Sequence, residues 1–245
     1  MTPIVGRDGK GKSGMVAQCL DFWAGERIPT LCFSLEDDPR RTLLRMAGCR
    51  KWFSARDVEG GMVSEGTRRV QMVEAERSKN ERLILAYKEW IEDKPFYIES
   101  GSGTAEEIVA KIRHYQRVHG IEVVTIDGFK DIEFSFPSKG DTENEKHTAK
   151  LLAGVAKDLN LAGGVVSHIN KIDDNIPITK EKITGSSAQY KGARQVLIFQ
   201  DAGIPAIVTP DDFVLSATKA NFASGGSVLL RRDPAVLKYQ EMNAG

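Results

Sequence analysis

Glycine, lysine and serine near the start of the chain are spaced in a pattern that can bind phosphate. The pattern G-x-x-x-x-G-K-[ST] begins at Gly6 and ends at Ser13. Its glycines allow backbone N–H groups to turn towards one anion, and a following helix directs its N-terminal dipole there too. Lys12 can reach the β- and γ-phosphates of a nucleotide, and the Ser13 hydroxyl can ligate Mg²⁺. The candidate nucleotide-binding residues are Gly6, Arg7, Asp8, Gly9, Lys10, Gly11, Lys12, Ser13 and Gly14.

An aspartate at the end of a second apolar segment is a candidate metal ligand. The segment 122–127 (EVVTID) predicts a buried strand that delivers Asp127 to its carboxyl end. Ligands of open parallel sheets bind at that edge. An acid placed there can hold Mg²⁺, usually through water. An ordinary loop aspartate is the alternative, and the metal interpretation depends on the phosphate-binding motif.

A glutamate at the end of another apolar segment is a candidate general base. Glu36 ends the predicted strand 28–36, which follows the helix of the phosphate-binding motif. A carboxylate at this edge could orient and deprotonate a water that attacks the γ-phosphate. Asp37 and Asp38 compete for this role. Asp38 also fits the N-cap of a helix that starts with Pro39.

The elements that position these residues alternate between strand and helix. This alternation predicts an α/β fold with a mostly parallel sheet flanked by helices, with antiparallel strands late in the chain. No linker divides the chain, so we predict one domain over residues 1–245. Thr104 and Glu107 fit a capping box, and the charged helical segment allows a turn near Ser78. Strands are predicted at 3–6, 28–36, 95–100, 122–127, 164–169, 195–201, 206–210, 213–219, 227–232 and 235–240, helices at 12–24, 39–48, 66–93, 105–119 and 144–160, and polar loops at 128–143 and 170–185.

Composition narrows the class of protein. Lys+Arg and Asp+Glu both number 34, which argues against a broad basic surface but leaves room for a local basic channel. The three cysteines, Cys19, Cys32 and Cys49, have neither the spacing of a zinc pair nor an even count, so we expect buried free thiols. No apolar run is long enough to span a membrane, and no signal-peptide pattern is present. We therefore expect a cytoplasmic protein with no membrane partner.

The order of the short motifs resembles the RecA-like ATPase core of the hexameric DnaB family of replicative helicases. It is most similar to the plasmid RepA-type branch of that family, and the resemblance spans nearly the whole chain. It implies a RecA-like phosphate-loop NTPase fold, ATP and Mg²⁺ as cofactors, single-stranded DNA as a partner, and replication proteins as candidate further partners. Besides the phosphate-binding motif, the segments that carry it are FSLEDDPRR, VVTIDGF, VSHINK, GSS and SATKANF.

The resemblance also implies roles for single residues. Glu36 matches the catalytic base and Asp127 the residue that serves the metal. His168 matches a γ-phosphate sensor, which is Gln in DnaB-like members; a hydrogen-bonded histidine at a strand end is an equal alternative. Lys219 matches a lysine that points to a neighbouring subunit's nucleotide. Asn221 occupies the position of the arginine finger of DnaB proper and cannot supply a cation.

Two polar loops match the DNA-facing loops of the family. Their lysines could meet phosphates, although solvated loop lysines are an equal alternative. Hexameric members carry an upstream segment that ties the ring, whereas the first predicted strand here starts at residue 3. We therefore expect a homo-hexameric ring if another element or partner supplies that contact. The loop lysines are Lys130, Lys139, Lys171, Lys180 and Lys182.

Three functions follow from these observations. The first is a helicase motor that couples Mg-ATP hydrolysis to movement on single-stranded DNA. The second is an ATP-binding switch, loader or regulator without helicase activity of its own, which Asn221 favours. The third, a metabolic kinase, lacks a recognisable acceptor site and ranks last.

Overall fold

The computed structural model of the chain contains a nine-stranded sheet and a separate two-stranded sheet. It describes residues 1–7, 9–51, 62–65, 68–71, 74–136, 140–168, 178, 193, 195–201, 211–220, 226–233 and 238–242. The strands are β1 (Thr2–Gly6), β2 (Thr30–Ser34), β3 (Met62–Glu65), β4 (Arg68–Gln71), β5 (Phe96–Ser100), β6 (Val123–Asp127), β7 (Ala162–His168), β8 (Gln195–Asp201), β9 (Asp212–Ala220), β10 (Gly226–Asp233) and β11 (Lys238–Glu241). The helices are α1 (Lys12–Gly25), α2 (Pro39–Lys51), α3 (Glu74–Glu92), α4 (Ala105–His119) and α5 (Asp141–Asp158).

The large sheet is parallel on one side and antiparallel on the other. Its strand order is β11-β10-β9-β8-β1-β7-β6-β2-β5. All neighbours from β8 to β5 pair in parallel, whereas β8, β9, β10 and β11 pair antiparallel to one another. The predicted fold class is therefore confirmed, including the antiparallel strands late in the chain.

The central strands are apolar because both faces of the sheet are covered. All five residues of β2 are buried. Successive side chains alternate between the faces, so Leu31 and Phe33 pack into the cluster that contains Ile112 of α4. Cys32 points to the opposite face and packs with Leu20 of α1. This arrangement keeps the carboxyl edge of β2 in a fixed position.

Two helices begin at the predicted caps. Thr104 accepts a hydrogen bond from the Glu107 backbone N–H (3.4 Å), and the Glu107 carboxylate accepts one from the Thr104 backbone N–H (2.8 Å). Asp38 Oδ1 accepts a hydrogen bond from the Arg40 backbone N–H (2.7 Å), and Pro39 is the first residue of α2. Both pairs satisfy N–H groups that lack a partner inside the helix.

Three local predictions were wrong. Residues 68–71 form β4, which pairs with β3, instead of belonging to a helix over 66–93. Charged residues with scattered apolar ones fit a solvated helix and a two-stranded ribbon equally well, so the pattern did not separate the two. No turn interrupts α3 near Ser78. Helix α5 starts at Asp141 within the predicted loop 128–143, where acidic residues of its first turn favour the helix N-terminus.

Some predicted elements lie outside the described residues, among them the strand 206–210 and most of the loop 170–185. None of the described helices combines the length and the apolar character that crossing a membrane requires.

Candidate nucleotide-binding site

The phosphate-binding motif connects the carboxyl end of β1, in the parallel part of the sheet, to the N-terminus of α1. Gly9 and Gly11 have φ angles of 68° and 93°, in the left-handed region that glycine adopts at least cost. At Gly6 a Cβ atom would overlap the carbonyl oxygen of Phe199 in the neighbouring β8. Three of the motif's glycines are thus required by the backbone geometry. Asp8 lies outside the described residues.

Lys12 is folded back over this loop. Its side-chain nitrogen Nζ donates to the carbonyl oxygens of Gly6 (3.0 Å) and Arg7 (2.7 Å), and the residue is 3% exposed. Nζ also lies 3.1 Å from Nδ1 of His168. A buried ammonium held by carbonyl oxygens can exchange them for the stronger charge-assisted hydrogen bonds of phosphate.

His168 connects Lys12 to Glu36. It ends β7, and its backbone pairs in register with Gly6 of β1, which places the ring beside the loop. Its Nε2 lies 3.1 Å from Oε2 of Glu36. Because an ammonium only donates hydrogen bonds, Nδ1 accepts from Lys12, and Nε2 carries the hydrogen that is donated to Glu36. The imidazole therefore fits the neutral tautomer with its hydrogen on Nε2.

The backbone of Glu36 is fixed by β6. Strands β2 and β6 are adjacent, with Ser34 opposite Asp127. Beyond this pair, the Asp127 carbonyl oxygen accepts from the backbone N–H of Leu35 (2.9 Å) and of Glu36 (3.3 Å). A Cβ at Gly128, whose φ is 110°, would lie 2.9 Å from the Glu36 nitrogen, so glycine is needed for this close approach. The structure thus brings Glu36 and Asp127 together, as their positions at strand ends predict.

Asp127 is a buried acid with unused hydrogen-bonding capacity. It is 5% exposed and receives a hydrogen bond from Ser13, while its Oδ1 has no hydrogen-bond partner. Burial raises the pKa of Asp127 to about 6. The charge of Glu36 raises it further, while the Ser13 hydrogen bond and the charge of Arg45 lower it. A buried, unpartnered carboxylate oxygen is costly unless something binds it. One carboxylate with a neighbouring hydroxyl fits Mg²⁺, which is usually held by one or two carboxylates together with phosphates and water.

The two acids that compete with Glu36 have other partners. Asp37 accepts hydrogen bonds from Arg41 (2.9 Å) and Arg45 (2.5 Å). Burial acts to raise the pKa of Asp37, but the hydrogen bonds and charges of the two arginines outweigh it and hold that pKa below its usual value. Asp38 caps α2. Glu36 is the acid of these three that contacts the phosphate-binding loop through His168.

Two residues near the site were not singled out from the sequence. Asp131, in a 3-10 turn after β6, lies close enough to Glu36 and His168 for their charges to act on it; burial is the main cause of its raised pKa. Tyr239 of β11 donates a hydrogen bond from its hydroxyl to the Gly11 carbonyl oxygen (3.0 Å). Asp131 follows Asp127 closely enough to be suspected, whereas no local pattern marks Tyr239.

The remaining predicted residues lie away from this cluster or outside the described residues. Lys130 is exposed, just beyond the carboxyl end of β6. The backbone of Lys219 lies in β9 and pairs with Val196 of β8. The predicted residues outside the described part of the chain are Asp8, Lys139, Lys171, Lys180, Lys182 and Asn221.

A parallel sheet with a phosphate-binding motif after β1 and acids after β2 and β6 defines the RecA-like class of fold. Solved structures with this fold cover nearly the whole chain, and two of them come from DnaB-like helicases. One is an isolated ATPase domain, which superposes with a TM-score of 0.82 at 14% sequence identity, over 99% of this chain and 84% of that one. The other is a DnaB-like replicative helicase, solved in a study of its interactions with primase. It superposes with a TM-score of 0.79 at 15% identity, over 98% of this chain.

The present chain spans 58% of the length of that second protein. No protein-family model and no curated protein matches the sequence. The resemblance to the RecA-like core of DnaB-type helicases is therefore confirmed as a likeness of fold.

Proposed function

We propose that this chain binds Mg-ATP, hydrolyses it, and uses the reaction as the motor of a DnaB-like helicase on single-stranded DNA. The observation that carries the proposal is the continuous set of contacts from Lys12 through His168 to Glu36, with Asp127 buried on the strand beside them. The likeness of fold to helicase ATPase domains supports the same conclusion.

Lys12 and the loop hold the phosphates. The backbone N–H groups at the start of α1 face the site of an anion, and the helix dipole adds partial positive charge there. Lys12 releases the carbonyl oxygens of Gly6 and Arg7 and donates to phosphate oxygens instead. Nucleotide binding thereby also removes the hydrogen bond that Lys12 donates to His168.

Ser13 and Asp127 hold the metal ion. When bound, Mg²⁺ bridges the β- and γ-phosphate oxygens and neutralises charge that develops on them. Asp127 must be ionised for this role, and the pKa of about 6 that burial gives it leaves the carboxylate ionised at neutral pH. The unpartnered Oδ1 is the oxygen available to the ion or to its water.

Glu36 accepts the proton of the attacking water. Its side chain is 41% exposed, so water reaches it, and the His168 Nε2–H group orients the carboxylate. The same imidazole contacts the lysine that grips the phosphates, so the loss of that contact on nucleotide binding can be passed to Glu36. This is the physical basis for the sensor role that the resemblance implies for His168.

Single-stranded DNA and a ring of identical subunits complete the proposal. Lys130 is exposed directly after β6, where a contact with a DNA phosphate would adjoin the metal site. Lys219 is the residue that we assign to the nucleotide of a neighbouring subunit. These assignments rest on the likeness of fold and on the matched motifs.

The first experiment measures ATP hydrolysis with and without single-stranded DNA, for the native chain and for Glu36→Gln. We expect the native rate to rise with DNA. We expect the variant to retain ATP binding while its kcat falls roughly 10²- to 10⁴-fold, because general-base catalysis is lost. Glu122→Gln is the matched control, because Glu122 is exposed just before β6, at the opposite end of that strand from Asp127.

The outcomes separate the two leading functions. Hydrolysis that does not respond to DNA favours an ATP-binding switch, and equal rates for Glu36→Gln and Glu122→Gln contradict the assignment of the base. Sedimentation with and without an ATP analogue tests the ring, and a monomer under all conditions contradicts an autonomous motor.

A further inference from the structure

The last described strand of the chain contacts the phosphate-binding loop through Tyr239. The Tyr239 hydroxyl donates to the carbonyl oxygen of Gly11 at 3.0 Å. The backbone of the same residue is clamped to α1, because its carbonyl oxygen accepts from Gln18 Nε2 (2.9 Å) and its N–H donates to Gln18 Oε1 (2.7 Å). Strand β11 is thus attached to both ends of the first turns of α1.

The tyrosine ring is held rigidly. It is 4% exposed and packs edge-on against Phe199 and Phe213, with ring centroids 5.3 and 5.8 Å away. Arg232, which pairs with Tyr239 across β10 and β11, also hydrogen-bonds to its hydroxyl. Burial raises the pKa of Tyr239 to about 12, so the hydroxyl keeps its proton at neutral pH and can donate it. The direction of this donor is therefore fixed by packing.

The bond matters because of the peptide that it reaches. The Gly11 carbonyl oxygen accepts two hydrogen bonds, one from the Met15 backbone N–H (3.0 Å) and one from Tyr239. In a trans peptide the C=O and N–H bonds point in opposite directions. Fixing the Gly11 carbonyl therefore fixes the direction of the Lys12 N–H group, at the start of the helix where an anion binds.

The same contact explains why residue 11 is glycine beyond the needs of its φ angle. A Cβ atom at Gly11 would overlap the Tyr239 hydroxyl oxygen. Gly11 is the N-cap of α1, and no side chain caps it with a hydrogen bond. The glycine thus leaves the space that the tyrosine hydroxyl fills.

We propose that Tyr239 is a positioning residue for nucleotide binding, which orients the Gly11–Lys12 peptide before the phosphates arrive. The proposal rests on the proposed function, since it assumes that the loop binds a nucleotide. Tyr239 contacts no reacting atom; it acts through the backbone of the loop. Its effect is to reduce the ordering that the loop must undergo when the nucleotide binds.

The test compares Tyr239→Phe with Tyr115→Phe, each of which removes one hydroxyl and leaves the ring. The Tyr115 hydroxyl donates to Glu99 (2.6 Å) across α4 and β5, on the opposite side of the sheet from β11. For Tyr239→Phe we expect the dissociation constant for Mg-ATP to rise roughly 3- to 10-fold, the range that one lost hydrogen bond gives. We expect kcat at saturating ATP to stay within about twofold, because the reacting groups are unchanged. Tyr115→Phe should leave both values as in the native chain.

A second measurement does not depend on ATP binding. Amide hydrogen exchange of the nucleotide-free chain should become faster over residues 6–14 in Tyr239→Phe and stay unchanged in Tyr115→Phe. An unchanged dissociation constant together with unchanged exchange overturns the proposal, and so does an equal loss of affinity in both variants. If the native chain binds no ATP, the proposed function fails, while faster exchange in Tyr239→Phe alone still shows that the tyrosine orders the loop.

Discussion

Replacing Asp127 with asparagine separates the stability of the fold from the chemistry that we propose for the site. Asp127 is 5% exposed, and one of its carboxylate oxygens has no hydrogen-bond partner. Burial, to which the charge of Glu36 adds, raises the pKa of this carboxyl from 3.8 to about 6. The ionised carboxylate therefore destabilises the nucleotide-free fold at neutral pH. We expect Asp127→Asn to remove this cost and, at the same time, a metal ligand.

The size of the effect follows from the difference in pKa between the folded and the unfolded chain. A folded-state pKa raised from 3.8 to about 6 means that the native fold of the unmodified chain takes up the proton first as pH falls. The unmodified chain thus gains stability as pH falls through 6, and the gain is complete below the unfolded pKa of 3.8. Relative to about pH 7.5, linkage gives about 1.4 kcal/mol at pH 5 and about 3 kcal/mol well below pH 4. A constant cost of burying the asparagine amide cancels from this difference.

Urea unfolding of both proteins, without nucleotide or metal, measures this quantity. Between about pH 7.5 and pH 5 we expect the free energy of unfolding of Asp127→Asn, relative to the native chain, to fall by about 1.4 kcal/mol. Mg-ATP provides the control, because it should stabilise the native chain and not the variant. A difference that does not change with pH would refute the burial argument. Equal stabilisation of both proteins by Mg-ATP would refute the role of Asp127 in holding the metal.

Two further substitutions test the scaffold around the site. Thr104→Ala removes the hydroxyl that caps α4, so chemical denaturation should show a loss of about 1 kcal/mol in the free energy of unfolding, while Mg-ATP affinity stays unchanged; a clear loss of affinity would contradict this purely structural role. Gly6→Ala places a methyl group against the Phe199 carbonyl oxygen, so β1 or β8 must shift. Calorimetry should then show a lower Tm and titration weaker Mg-ATP binding, and native affinity in this variant would show that the loop tolerates the displacement.

The sequence predicts the phosphate-binding loop well because the loop is local. Its geometry depends on a few consecutive residues, and the left-handed φ angles of Gly9 and Gly11 are those that only glycine adopts readily. Glu36 and Asp127 could be placed at strand ends from the apolar runs before them. That they meet depends on β2 lying next to β6, and the parallel edge rule made this a reasonable expectation.

Other features depend on contacts that no local pattern contains. Tyr239 is 228 residues from Gly11, and their hydrogen bond exists only because β11 packs against α1. The Lys12–His168 contact likewise requires β1 to pair with β7. Strand β4 was predicted as helix because charged, half-exposed residues satisfy either structure, and its pairing with β3 decides between them.

A crystal structure of the chain with Mg²⁺ and a non-hydrolysable ATP analogue tests the central claim most directly. We expect the triphosphate to lie on the loop over residues 6–13, with Lys12 Nζ moved from the Gly6 and Arg7 carbonyl oxygens to the phosphates. The metal should lie beside Ser13 and Asp127, and Glu36 should face the γ-phosphate. A loop that stays empty at saturating analogue, or a bound analogue from which Glu36 and Asp127 both point away, would contradict the account.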